Sequence, residues 1–172
     1  SIIGLVSFFY ESQRKTFICK FFYLVSTLGR MSYIYHSGYG YSTRLCKSVA
    51  SWFINKYYPR HKITLDIIHR GMKRENCHGY CDTTGGWFRP RNFEIEIDTH
   101  LDKETYTKTL LHEMFHMKQF IDGTLKTKRS KMYYKNELVD NYDYEDQPHE
   151  IEARNFEEKL YLEFLNNSKV DT

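Results

Sequence analysis

Two histidines four residues apart, with a glutamate beside the first, occur once in the chain, in the run His112-Glu113-Met114-Phe115-His116. On a helix His112 and His116 share one face, one turn apart, so both imidazoles can reach a single zinc ion while Glu113 stands next to it. Zinc polarises a carbonyl and acidifies its water, and a neighbouring carboxylate can take the water's proton and pass it to a leaving amine. The spacing predicts hydrolysis of peptide bonds with His112 and His116 as metal ligands and Glu113 as general base. A chain of this composition would show the pattern by chance roughly 0.03 times. The bland reading is a surface helix face with two solvated histidines.

A peptidase zinc site needs a third protein ligand and keeps its fourth position for water. The stretch Gln147-Pro148-His149-Glu150-Ile151-Glu152-Ala153-Arg154 supplies candidates. Glu150 is the first choice, because a helix opened by Pro148 presents it from the first turn. Glu152 and His149 stay open as alternates. Without a metal, an acidic first turn would simply complement the helix dipole.

Other residues invite weaker readings. Cys77-His78-Gly79-Tyr80-Cys81 carries only half of a structural zinc site, and ordinary loop thiols explain it better. Arg89-Pro90-Arg91 beside Trp87 and Phe88 has the chemistry to grip nucleic acid, but also reads as a solvated strand entry. The five basic residues between Lys126 and Lys135 are the one candidate for a DNA-binding face. Net charge of +3, with 25 basic and 22 acidic residues, gives DNA association no support.

The elements that must position the motif are legible by period and caps. Leu45, Val49, Trp52 and Phe53 recur at helical spacing until Pro59. Ile63, Leu65 and Ile67 alternate as a strand ended by Gly71. Met72 to Gly86 reads as an irregular connection or loose hairpin without core signal. Phe93, Ile95 and Ile97 alternate with Glu94, Glu96 and Asp98, which predicts an exposed or edge strand. Asp102 caps the metal helix, Leu110, Met114, Met117 and Ile121 form its apolar stripe away from the histidines, and Gly123 stops it. Thr124 to Gln147 shows no clear period, and a third helix runs from Pro148 to about Leu165.

A length of 172 residues suits one domain with its own core. The expected fold is α+β: a first helix, a mixed or antiparallel sheet of about three strands, the metal helix beneath it, and a closing helix that brings in the third ligand. Residues 1–30 read as an N-terminal extension and 31–172 as the domain. The apolar runs Ile2 to Tyr10 and Phe17 to Val25 are too short to span a membrane, and no export signal is convincing. Four cysteines, unevenly spread, favour a reducing compartment, so a cytoplasmic protein is expected, in the host cytoplasm if the source is viral.

Three blocks in order, Arg89-Pro90-Arg91-Asn92-Phe93-Glu94-Ile95-Glu96-Ile97-Asp98, then Thr109 to Phe120, then Pro148-His149-Glu150-Ile151-Glu152-Ala153-Arg154, resemble the SprT-like zinc metallopeptidases, particularly the short versions of tailed bacteriophages. The resemblance covers about residues 60 to 165. It implies a zincin-like domain, a Zn2+ cofactor held by His112 and His116, Glu113 as base, and a protein or peptide substrate paired along an edge strand just before the zinc helix. Related zincins with a Glu-x-x-Ala pattern use its first glutamate, which favours Glu150 over Glu152. The alternative class is a non-catalytic protein- or DNA-binding module that zinc merely stabilises.

Overall fold

The structure, a computed structural model, describes residues 32–75, 77–86 and 88–168. The expectations for residues 1–30 and for Trp87 lie outside the described residues. The elements are β1 (Tyr33–Gly38), α1 (Thr43–Tyr57), β2 (Thr64–Arg70), β3 (Gly79–Thr83), β4 (Asn92–Asp98), α2 (Lys103–Asp122), β5 (Leu125–Lys128), β6 (Lys131–Tyr134), β7 (Glu137–Leu138), a 3-10 turn (Tyr144–Asp146) and α3 (Pro148–Ser168). The chain is α+β, with a four-stranded sheet ordered β1-β2-β4-β3 and a separate three-stranded meander, β5-β6-β7.

The main sheet is mixed. β1, β2 and β4 run parallel, and β3 closes one edge antiparallel to β4, Gly79 facing Ile97 and Thr83 facing Phe93. A parallel pair cannot be joined by a tight turn, and α1 is the crossover between β1 and β2. Leu65 and Ile67 on β2 and Phe93, Ile95 and Ile97 on β4 form one apolar face, in register and fully buried. The helices cover that face, each such side chain contributing about 1.5–3 kcal/mol by leaving water. The opposite face carries Asp66, Arg70, Glu94 and Glu96, half-buried, with the Arg70 guanidinium bonded to both Glu75 and Glu96.

Several expectations need correction. Phe93–Asp98 is no edge strand: it lies between β2 and β3, and its acidic alternation reflects one uncovered sheet face rather than a free edge. The sheet has four strands rather than about three, because Met72 to Gly86 contains β3 and also buries Met72. The polar tract after Gly123 folds into the meander. Its two tight turns hold Arg129, Ser130, Lys135 and Asn136 at positive φ, a conformation few side chains advertise.

α2 is held as its caps dictate. The Asp102 carboxylate accepts from the N–H groups of Glu104 and Thr105, and Gly123 ends the helix at φ 76°. The helix is not a simple amphipathic stripe, however: Tyr106, Leu110, Leu111, Met114, Phe115, Met117 and Phe120 are all buried, on several faces. The sheet, α1 and α3 surround it, so polar groups on α2 must find partners inside the protein.

Candidate metal centre

α2 and α3 lie against one another and bring their chemistry to one point. His112 Nε2 and His116 Nε2 are 3.1 Å apart. Each faces a different oxygen of Glu150, Oε2 at 3.2 Å from His112 and Oε1 at 3.2 Å from His116. Glu150 reaches them from the first turn of α3, which Pro148 opens. Among the described residues, these three form the one group of His, Cys, Asp and Glu with ligand atoms close enough to share an ion.

The donor set fits zinc. A tetrahedral ion with ligands about 2.0–2.1 Å away spaces neighbouring ligand atoms about 3.3 Å apart, close to the separations observed. Two imidazole nitrogens and a carboxylate, each turned toward the others in a buried corner, require a cation between them, either a proton or a metal.

The surrounding groups fix which ring atom faces that point. Gln119 Nε2 donates to the His149 carbonyl at 3.1 Å and to Glu152 Oε2 at 2.8 Å, so its Oε1 is the acceptor 2.9 Å from His116 Nδ1. His116 therefore carries its proton on Nδ1 and presents a bare Nε2, the metal-binding tautomer. Glu157 Oε2 lies 3.3 Å from His112 Nδ1, near but poorly aligned, and that nitrogen has no hydrogen-bond partner among the described residues.

Electrostatics follow from the geometry. Burial alone would depress His112, but Glu150 and Glu157 outweigh it and raise the imidazole to about 10. Burial pushes the Glu150 carboxyl up, while bonds from His112 and His116 overcome this and hold it well below the usual carboxylate range. Glu113 is only 6% exposed, and burial raises it to about 7 against the pull of His116 and His112.

Of the sequence candidates, the structure brings His112, His116 and Glu150 together and places Glu113 beside them. It leaves both alternates outside the cluster. Glu152 is taken up by Gln119 and lies 3.8 Å from Lys135 Nζ. His149 is buried against His116 and Tyr134, with ring centroids 5.6 Å and 6.2 Å away, and burial lowers it to about 4. Cys77 and Cys81 join no metal cluster among the described residues; both are half-buried, and desolvation raises the Cys81 thiol well above its ordinary value.

The sequence reading missed two residues. Gln119 orients the second histidine, and its position three residues after His116 was a usable signal. Tyr144, in the turn before α3, stands near the site: partial burial together with the charges of Glu150 and Glu113 raises its phenol, while most of the residue stays exposed. Nothing in the local sequence marks it. Comparison with protein-family models, curated proteins and solved structures finds no match.

Proposed function

We propose that this protein is a zinc-dependent endopeptidase with a zincin-like domain, related to the SprT-like metallopeptidases. The observation that carries the reading is the convergence of His112 Nε2, His116 Nε2 and the Glu150 carboxylate at 3.1–3.2 Å, with Glu113 buried beside them. His112, His116 and Glu150 would hold the ion. When bound, zinc supplies Lewis acidity to a substrate carbonyl and a water acidic enough to attack near neutral pH.

The chain's own residues do the rest. Glu113, raised to about 7, takes the proton of the attacking water and returns it to the leaving nitrogen. Gln119 keeps His116 in the tautomer that leaves Nε2 free. The free edge of β3 offers main-chain bonds to an extended peptide, and Gly79 on that strand lies against Glu113. A substrate strand placed there passes the base, so the docking edge we propose is β3 and not Phe93–Asp98.

A second reading has one observation in its favour: the ligands come from two helices, so a metal there would staple α2 to α3 without any catalysis. Glu113→Gln separates the two. On the peptidase reading, this variant retains zinc and loses casein cleavage by about 10²–10⁴-fold. If wild type loaded with zinc cleaves nothing, the stapled module is the better account; casein cleavage by Glu113→Gln at the wild-type rate would remove Glu113 as the base. No described helix is long and apolar enough to cross a membrane.

A further inference from the structure

We infer that Gly79 is a positioning residue for Glu113: β3 omits a side chain at this point so that the Glu113 carboxylate can seat beneath it. The inference deepens the peptidase reading and rests on it for the role of Glu113 as base. A Cβ at Gly79 would stand 2.7 Å from Glu113 Oε1 and 2.9 Å from its Cγ, with Thr109 Cγ2 at 3.0 Å. These separations are shorter than van der Waals contact, so a methyl group there must displace the glutamate.

The backbone gives no reason for glycine at this position. Gly38, Gly40 and Gly123 have positive φ, which favours glycine, but Gly79 does not. It opens β3, paired with Ile97, where glycine is a poor strand former and alanine would lower the entropy lost on folding. What requires the small residue is the side chain across from it. That side chain has few other restraints: no hydrogen bond to the Glu113 carboxylate is present among the described residues, so packing against β3 and Thr109 defines where it points. The contact atom is also the far end of a flexible side chain. The expected result of crowding is therefore a misdirected carboxylate in an intact fold, and displacing a reacting group by about 1 Å can lower a rate about 100-fold.

The test uses the full chain loaded with zinc, as wild type, Gly79→Ala, Glu113→Ala and the double variant, with Gly86→Ala as control because nothing lies within 4 Å of a Cβ there. Zinc content, melting temperature and the kcat and KM for labelled casein are measured. Gly79→Ala should keep the zinc content of wild type, lose about 10- to 100-fold in kcat, and hold KM within about twofold. The change in melting temperature caused by Gly79→Ala should be at least about 2 °C more favourable in the Glu113→Ala background than in wild type. Equal temperature changes in the two backgrounds, an unaltered kcat, or a fall in kcat that tracks loss of zinc would each overturn the inference. If wild type cleaves no casein, the peptidase reading fails on its own, and the temperature comparison still decides whether Gly79 seats Glu113.

Discussion

α2 carries buried polar chemistry toward both ends, and the two ends handle it differently. Near its start, Tyr106 meets His69 of β2: Nδ1 of the histidine donates to the Ser37 carbonyl at 3.1 Å, and the tyrosine hydroxyl donates to Nε2 at 2.7 Å. The ring of Tyr41 stacks on Tyr106 with centroids 3.5 Å apart. Every polar atom of the His69 ring is satisfied within the protein, and burial lowers its pKa so that it stays neutral. About two to three turns further on, His112 and His116 aim their Nε2 atoms at each other and at Glu150, and His112 Nδ1 is left without a hydrogen bond. The His69 ring completes both its bonds within the protein, whereas the His112 and His116 rings converge with Glu150 on one shared point that suits a cation.

That contrast breaks most visibly under metal. Zinc at about 100 times its dissociation constant should stabilise wild type by about 2.7 kcal/mol, raising the melting temperature by several degrees, and a chelator should remove the gain. His69→Gln should keep the whole zinc-dependent increment, whereas His116→Ala should lose it. A zinc response that follows His69 rather than His116 would mean the two ends have been misassigned. A smaller effect is expected from Gln119→Ala, which frees His116 Nδ1 and should weaken zinc binding by about 10- to 100-fold, read in a competition titration with a chromogenic chelator.

At the closed end the expected losses are in stability alone. Tyr106→Phe leaves His69 Nε2 buried without its donor and should cost about 1–3 kcal/mol in urea unfolding, with zinc affinity unchanged. The smallest effect concerns pH. The folded pKa of His69 is lowered from 6.5, so its neutral form is the one the fold favours. The unfolded chain binds the proton more readily, and the stability tied to His69 is present above pH 6.5 and lost as pH falls through the lower folded value. Between pH 7.5 and pH 5.5, metal-free wild type should therefore lose more stability than metal-free His69→Gln. An equal loss in both would remove His69 from the account.

The sequence made the two ends unequally readable. Local signals located α2 and α3 well: Asp102, Gly123 and Pro148 act where their chemistry places them, and the His112–His116 spacing needs nothing beyond a helix. His69 gave no signal, because its partners, Ser37 and Tyr106, lie 32 and 37 residues away. β3 was hidden for a similar reason. Its pairing with β4 is tertiary, and Gly79 with Asp82 looks like loop composition, although the glycine makes room for Glu113. The glutamates of β4 suggested a free edge because alternation reports which face is uncovered, never which strand lies beside it. The meander stayed illegible because Arg129 and Ser130 adopt a turn conformation that glycine or asparagine usually marks.

The most direct test of the central claim is zinc per chain, by elemental analysis, for wild type, His112→Ala, His116→Ala, Glu150→Ala and Glu152→Ala. The arrangement predicts about one zinc in wild type and in Glu152→Ala, and almost none in the other three. A wild type that binds no zinc, or a Glu150→Ala variant that keeps it, would contradict the account.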